Sequence, residues 1–534
     1  MEQDNHVKIK LGSLVLMIFS SIFGFSNSLT AFYQMGYASI IWYIVTAILF
    51  FLPSALIFAE YGAAFKGIKG GIFSWLEGST NEKIAFIGTF IWLSAWVVWL
   101  VSSTQFFLVS VSTAVFGHDT TQSWHLGALS STQLLGILEV IFLAVVTFCA
   151  AKGIDKIKTI NNIGGIFTLA IAIGFTVVSL FVFILNHGQL AEPVTAQNLV
   201  HSPNPSFQSP IAVVSLFVFI LNKGQLAEPV TAQNLVHSPN PSFQSPIAVI
   251  SFIVYALFAY GGLETTSGVI DSVDKPEKTY PKGLIIAMVM MTALYVVNIF
   301  MCGVAVNWNK ELGVKGVDLA NVEYVLINNL GVVTGHSLGL SESASLAIGS
   351  AFSHFAGIAD VLSGVAAAFL MVYSPIKSFI EGCDPRLLPK KLVQLNKHNM
   401  PERSMWVQAI IVSVIILFIS FGGNAADQFY TILMDMMNVS SSAPYLFLIA
   451  AYPFFKAKKD LDRPFVFIEG KKKVWATTIV VWLVVAIGIV FTCIEPLFTG
   501  DYQTSFWTAI GPVAFGVVAW IYYAYREHKE KVNL

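Results

Sequence analysis

The chain has 534 residues, of which 55% are hydrophobic and only 11% are charged, and its formal net charge is -1. Soluble globular domains carry roughly 25% charged residues, so this composition indicates an all-α polytopic membrane protein. The four cysteines stand singly, without the spacing of a metal site or a disulfide framework. We find no HExxH zinc motif and no phosphate-binding loop. We therefore expect no enzyme and no ATP-driven pump, with no catalytic residue, cofactor, metal or nucleic-acid partner.

Apolar stretches of about 20 residues predict twelve membrane spans. In chain order they lie near 11–34, 38–59, 84–112, 132–151, 160–186, 246–269, 283–306, 347–376, 405–422, 427–455, 474–497 and 505–524. All lysines and arginines except Lys223, Lys310 and Lys315 fall in the loops on one side, together with both termini. The positive-inside rule then places both termini in the cytoplasm of a multi-pass protein of the cytoplasmic (inner) membrane.

A tandem repeat separates the fifth and sixth spans. Residues 177–212 recur at 213–248 with one clear change in the body, His187 to Lys223. The second copy adds an apolar run that is too short to span a bilayer, so we place it outside. We interpret the repeat as a duplication or sequence artefact tolerated in an external loop, since long loops cost little free energy. An external lid is the alternative.

The spans divide into two sets of five with opposite orientation, as an inverted repeat requires. The predicted units are a first half at 1–186, the external loop at 187–245, a second half at 246–456, and a cytoplasmic loop with the last two helices at 457–534. The first helix of each half is predicted to be interrupted.

The sixth span contains Phe258-Ala-Tyr-Gly-Gly-Leu-Glu264-Thr-Thr-Ser267 in an otherwise apolar run. Glycines weaken a helix, and a peptide group freed in hydrocarbon must be satisfied by protein, water or ligand. This predicts a broken helix that lines a polar cavity. Tyr260 and the carbonyls of Gly261 and Gly262 are placed to accept a substrate ammonium, with Phe258 covering it. The alternative for Phe258 is ordinary apolar bulk that faces lipid. Glu264 either carries a coupling proton or only ties the broken helix to span 1 by hydrogen bonds.

The first span has a matching polar stretch from Ser20 to Ser28. We expect Ser20, Ser21, Gly24, Ser26 and Asn27 to present backbone N–H groups and hydroxyls to a substrate carboxylate. The alternative is helix packing, which uses the same small residues.

Glu60 lies at the cytoplasmic end of the second span, and Gly70-Gly71 follow in the next loop. We expect Glu60 to act in an inner gate or to fix this loop, with Lys66 or Lys69 as its partner.

Several stretches together resemble the amino acid/polyamine/organocation transporter superfamily, and within it the glutamate/γ-aminobutyrate antiporter group with its YjeM-type inner-membrane transporters. They are Ser21-Ile-Phe-Gly-Phe-Ser-Asn27, Ala59-Glu60-Tyr-Gly-Ala-Ala64, Gly70-Gly71-Ile-Phe-Ser-Trp75, Ile87-Gly-Thr-Phe-Ile-Trp92, Ser238-Pro-Asn-Pro241 through Glu264, Tyr373-Ser-Pro-Ile-Lys377, and Phe454-Phe-Lys-Ala-Lys-Lys-Asp-Leu-Asp-Arg-Pro-Phe465. The resemblance covers nearly the whole chain apart from the second repeat copy.

The resemblance implies a LeuT-like 5+5 inverted repeat with helices 1 and 6 discontinuous, and a substrate held between them. Glu264 corresponds to the glutamate of the family's Gly-x-Glu, and Phe258 to an aromatic gate. The family's Gly-Ser-Gly motif of span 1 is not present as such, and the C-terminus from Tyr525 is too short for a cytoplasmic plug.

The predicted function is secondary transport of an amino acid or related amine by alternating access, as an antiporter. The alternatives are a proton- or cation-coupled symporter of amino acids and a transport-dead sensor of the same fold. The expected partners are this substrate and the lipid bilayer, and the sequence leaves the oligomeric state open.

Overall fold

A computed structural model describes residues 8–192, 194 and 256–533, without positions 67, 69, 70, 313, 315, 316, 318–320, 423, 499 and 501. These described residues form helices joined by turns, with two isolated backbone bridges and no strand. The second repeat copy and most of the first lie outside the described residues.

Fifteen α-helices account for most of this part of the chain. They are α1 Leu11–Ile22, α2 Phe25–Met35, α3 Ala38–Thr46, α4 Leu52–Ala64, α5 Ile72–Ser79, α6 Glu82–Phe116, α7 Ser131–Ala150, α8 Ile154–Leu185, α9 Pro276–Ala305, α10 Val322–Ser337, α11 Glu342–Gly382, α12 Glu402–Phe421, α13 Asn424–Ala457, α14 Lys471–Phe498 and α15 Tyr502–Asn533. A π-helical turn, Ala47–Phe51, joins α3 to α4, and a 3-10 helix, Leu263–Ser272, precedes α9.

Within the described residues, nine stretches are long and apolar enough to cross a membrane. They correspond to predicted spans 2–5, 7–9, 11 and 12. Predicted span 1 is divided between α1 and α2, span 6 is described only from residue 256, and span 10 is α13. The total of twelve spans stays a prediction.

Two helices were not predicted. Helix α5 follows the glycine pair after span 2, and α10 lies between spans 7 and 8. Both are shorter than the 20 residues that a span needs, so a search for spans passes over them.

The long helix α11 packs at the centre of the bundle against α6, α8 and α10. Small residues allow this close packing. A methyl group on Gly331 of α10 would lie against the backbone of Gly349, and one on Gly357 would lie against Ala114 of α6. Helices in a membrane gain little from the hydrophobic effect between them, so such backbone contact contributes much of their association.

A short backbone bridge joins the segment before α1 to the segment after the 3-10 helix. The Ile9 N–H donates to the Ser272 carbonyl at 2.8 Å, and the Asp274 N–H donates to the Ile9 carbonyl at 2.9 Å. The lysine-rich ends of spans 1 and 6 are therefore tied to each other.

One Gly-x-Ser-x-Gly pattern, Gly335 to Gly339, occurs at the end of α10. A hydrolase nucleophile of this pattern sits on a turn from a strand to a helix. Here the pattern ends a helix, and the Ser337 hydroxyl donates to Asn186 Oδ1 at 2.9 Å. The pattern therefore gives no support to an enzyme.

Candidate substrate site between two broken helices

Span 1 is interrupted between α1 and α2, as predicted. Phe23 (φ -73°, ψ 110°) and Gly24 (φ -98°, ψ 116°) are extended. Extended backbone at these two positions removes the hydrogen-bond ladder for about a turn. The N–H of Gly24 therefore becomes free to bond outside its own helix.

Span 6 is interrupted as well, so the second predicted break is also confirmed. Residues 256–259 are helical, the chain leaves the helix at Tyr260, and a 3-10 helix begins at Leu263. Gly262 lies between them with φ 106° and ψ 2°, a left-handed conformation that favours glycine. The carbonyl of Ala259 is released at this break.

The hydroxyl of Tyr295, on α9, connects the two breaks. It accepts the Gly24 N–H at 3.3 Å and the Asn27 side-chain amide at 3.5 Å. It donates to the Ala259 carbonyl at 3.0 Å. One hydroxyl thus satisfies a free donor from span 1 and a free acceptor from span 6, since a phenol both donates and accepts.

Two further tyrosines complete this tyrosine cluster of Tyr43, Tyr260 and Tyr295. The Tyr43 hydroxyl donates to the Asn27 carbonyl at 3.2 Å, and the Tyr260 hydroxyl donates to the Tyr43 carbonyl at 3.3 Å. Their ring centroids are 5.1 to 5.7 Å apart, and Phe51 stacks on Tyr260 at 4.4 Å. All three tyrosines are buried.

The free peptide groups described at the two breaks bond to tyrosine hydroxyls, because an unsatisfied peptide group in hydrocarbon costs several kcal/mol. The polar cavity that the sequence predicts here stays a prediction. The tyrosine cluster was missed because nothing in the pattern separates Tyr43 and Tyr295 from the other tyrosines of the apolar spans. Only the packing of α3 and α9 brings them to the breaks.

Glu264 lies in the first turn of the 3-10 helix and is buried, with 1% of its surface exposed. Trp92 Nε1 of α6 donates to Oε1 at 2.9 Å, and the Tyr445 hydroxyl of α13 donates to Oε2. Tyr445 in turn accepts the Gly262 N–H at 2.8 Å. The side-chain partners given by the described residues are therefore on spans 3 and 10, whereas one alternative expected them on span 1.

The other predicted residues take different positions. Phe258 packs with Val98 of α6 in a small apolar cluster separate from the main core. The Ser21 hydroxyl donates to the Ile18 carbonyl of its own helix at 2.9 Å, and Ser26 is exposed. The side chain of Ser20 lies outside the described residues, and Gly261 is partly buried at the break.

Glu60, on α4, is fully buried, and it pairs with Lys456 and not with the predicted Lys66, while Lys69 lies outside the described residues. Lys456 Nζ at the end of α13 donates to Oε1 at 2.6 Å. The Tyr452 hydroxyl and the Phe467 N–H donate to Oε2 at 2.6 and 3.1 Å. Glu60 thus fixes the loop after α13, because that loop folds back onto α4. Glu60 and Lys456 are nearly 400 positions apart, so no local sequence pattern indicates that they pair.

Gly71 begins α5 and brings it against the 3-10 helix of span 6. Its φ of +51° is rare for residues with a side chain. The next residue, Ile72, donates its N–H to the Ser267 hydroxyl at 3.1 Å. A methyl group on Gly71 would lie 2.8 Å from the Ser267 backbone carbon and from the Ser378 hydroxyl.

Gly71→Ala is expected to lower thermal stability and to reduce uptake, because both the φ angle and the space oppose a side chain. The backbone strain alone costs about 1–3 kcal/mol. Gly12→Ala is the matched control, since nothing lies within 4 Å of the added carbon in α1. The two variants are compared by thermal unfolding of the purified protein. Equal unfolding temperatures would contradict the close contact at Gly71.

Comparison with known proteins agrees with this architecture. The family model described as amino acid permease matches residues 9–519. The inner membrane transporter YjeM of Salmonella typhimurium is 40% identical over 97% of this chain and 96% of its own length. An aspartate/glutamate permease of Lactococcus lactis subsp. cremoris is 21% identical over 87% of this chain and 83% of its own. A glutamate/gamma-aminobutyrate antiporter of Lactococcus lactis subsp. lactis is 21% identical over 85% and 79%.

A crystal structure of a manganese transporter mutant from Eremococcus coleocola has the same fold, with a TM-score of 0.52 and 11% identity over 97% of this chain and 93% of the other. Its low identity supports the fold alone. The two broken helices and these matches define a membrane transporter with a LeuT-like fold, and not an enzyme. The chain belongs to the amino acid permease family, which confirms the resemblance seen in its motifs.

Proposed function

We propose that this permease exchanges amino acids across the cytoplasmic membrane by alternating access, with both termini in the cytoplasm. The substrate lies between the broken helices. Its carboxylate bonds to the Gly24 N–H and the Asn27 amide, and its ammonium bonds to carbonyls at the span 6 break, from Ala259 to Gly262. Glu264 and Glu60 hold the surrounding helices.

The observation that carries this proposal is the geometry around the Tyr295 hydroxyl. Two donors from span 1 approach it within 3.3 and 3.5 Å, and one acceptor from span 6 lies at 3.0 Å. A zwitterion needs the same arrangement, with donors for its carboxylate on one side and an acceptor for its ammonium on the other. We infer that a bound amino acid takes over the hydrogen bonds that the Tyr295 hydroxyl makes to these groups.

Counterflow in proteoliposomes tests transport and exchange together. Vesicles are loaded with one candidate amino acid at a time, starting with glutamate, aspartate and γ-aminobutyrate. The same compound is then added outside in labelled form, and its uptake into the vesicles is measured. We expect loaded vesicles to accumulate label far faster than empty ones for at least one candidate. Specific binding of a candidate without any flux would indicate a sensor and contradict the proposal.

Tyr295→Phe is expected to separate net uptake from exchange. The variant leaves the Gly24 N–H and the Ala259 carbonyl without their hydroxyl in the empty, closed protein. Each buried unsatisfied group costs about 1–3 kcal/mol. A bound amino acid supplies these hydrogen bonds itself. Net uptake into empty vesicles should therefore fall at least about tenfold relative to exchange, since 1.4 kcal/mol corresponds to a factor of ten.

The control is Tyr522→Phe on α15, which removes a tyrosine hydroxyl bonded to the Leu387 carbonyl at 3.0 Å, away from the breaks. It should leave the ratio of net uptake to exchange unchanged. An equal loss of both activities in Tyr295→Phe would mean that the hydroxyl contacts the bound substrate. This would contradict its role as a substitute for the substrate in the empty protein.

A further inference from the structure

A second polar site lies away from the broken helices, around Glu139 on α7. This carboxyl is buried, with 6% of its surface exposed, near the middle of the helix. It lines a cavity of about 40 Å³ between α6, α7 and α12. The other lining residues are Val101, Thr132, Leu135, Ile416, Ile419 and Ser420.

None of the described residues that line this cavity is cationic. The neighbouring helix α6 contributes the hydroxyl of Thr104, and α12 contributes Ser420 and two isoleucines. Among the described residues that line the cavity, Glu139 is the one titratable side chain. A carboxylate in this position without a countercharge is costly, so it must take up a positive charge from outside the chain.

Thr104 is arranged to serve both protonation states of Glu139. Its hydroxyl is 3.2 Å from Glu139 Oε2 and 3.0 Å from the carbonyl of Val101. A hydroxyl has one hydrogen and two lone pairs. When Glu139 is ionised, Thr104 donates to it. When Glu139 is protonated, it donates to Thr104, whose hydrogen turns to the Val101 carbonyl.

The cavity provides the route to this carboxyl. A volume of about 40 Å³ has room for about three or four water molecules, at about 10–15 Å³ each. Thr132 lies near the start of α7 and Ser420 near the end of α12, both opposite the lysine-rich loops. Ser420 also packs directly against Gly136, one turn from Glu139. Hydroxyls thus extend from the outer ends of the two helices towards the carboxyl.

We propose that Glu139 is a reversible proton-binding site, reached through this cavity from the external side. One proton passes from the external solution through cavity water to Glu139 Oε2, which then donates to Thr104, and the carboxyl becomes neutral. The four oxygen-bearing side chains nearby are too few to replace the six or more oxygens of a hydrated metal cation. In contrast, both oxygens of Glu264 already accept hydrogen bonds.

The site is connected to the transport machinery by packing. Ile419 lines the cavity and also packs on Val98, against which Phe258 of the broken span 6 packs. Protonation of Glu139 therefore acts on the contact between α6, α12 and span 6. This step rests on the proposed transport function, and it makes uptake depend on external pH.

Infrared difference spectra of the purified protein in lipid test the proton site without any transport. A carboxylic acid C=O band should appear as the pH is lowered and be absent from Glu139→Gln. Thr104→Val should move the midpoint of this titration, and Thr104→Ser should leave it in place. A band unchanged in Glu139→Gln, or present or absent at every pH, would overturn the proposal. A midpoint that moves with sodium concentration would assign the site to a metal cation and also overturn it.

The variants at Glu139 and Thr104 are also tested for transport. In vesicles, Glu139→Gln should flatten the dependence of uptake on external pH. If Glu139→Gln does not fold, the proton site is tested by the titration midpoint of the C=O band. This midpoint should move in Thr104→Val and stay in place in Thr104→Ser. A titrating Glu139 in a protein that moves no amino acid would refute the proposed function and leave the proton site standing. Transport with an unaltered pH profile in a folded Glu139→Gln would refute the coupling.

Discussion

Lys456→Met is expected to destabilise the protein by about 3–5 kcal/mol, because it leaves a buried carboxylate without its cation. The side chain of Glu60 is 0% exposed, and Lys456 Nζ lies 2.6 Å from Oε1. The change is measured as a lower unfolding temperature of the purified protein. Limited proteolysis should also show faster cleavage in the loop after α13, since Phe467 bonds to the same carboxylate.

The double variant Glu60→Gln with Lys456→Met is the informative control. Removing both charges of a buried pair is often nearly neutral, whereas removing one is not. The double variant should therefore recover most of the stability. Lys459→Met, in the exposed start of the same loop, should have no effect. A double variant no more stable than Lys456→Met would show that the hydrogen bonds of Glu60, and not its charge, hold the loop.

Glu264→Gln is expected to reduce both exchange and net uptake at least about tenfold. Trp92 Nε1 can only donate, and Tyr445, which accepts the Gly262 N–H, donates to the other oxygen. The new amide group must face one of these donors with its own N–H. Losing a hydrogen bond to a charged group costs about 1.5–3 kcal/mol. Counterflow and net uptake are measured at two pH values in the same vesicles.

The role of Glu264 as a proton carrier predicts a different result. Exchange would survive in Glu264→Gln, and only the pH dependence of net uptake would disappear. Glu342→Gln serves as the control, since this carboxylate is exposed and pairs with His336 at 2.7 Å at the start of α11. Its variant should keep both activities. The two roles of Glu264 are therefore separated by one substitution.

In the proposed transport cycle, the tyrosine cluster would allow the empty protein to close. Tyr295 bonds to groups of both broken helices, so a closed state without substrate would keep its hydrogen bonds. An obligatory exchanger must disfavour this state. The balance between the Tyr295 bonds and those of a bound amino acid would therefore set how strictly exchange is enforced.

The sequence by itself determined the membrane class, the two interrupted helices and the family. These features rest on local composition: apolar runs long enough for a bilayer, glycine with polar residues inside two of them, and short motifs. The breaks at Gly24 and Gly262 lie where the pattern placed them. Gly262 adopts a left-handed conformation that favours glycine, whereas Gly24 is in ordinary extended backbone.

Only the tertiary structure decided which groups satisfy the free peptide bonds and buried acids. Tyr295 meets Gly24, Lys456 meets Glu60, and Tyr445 meets Glu264 across separations of about 180 to 400 positions. Such partners are chosen by helix packing, which brings any of several similar tyrosines or lysines within reach. A carboxyl or a peptide group shows in the sequence that it needs a partner, but the partner's identity depends on which helices meet at that depth.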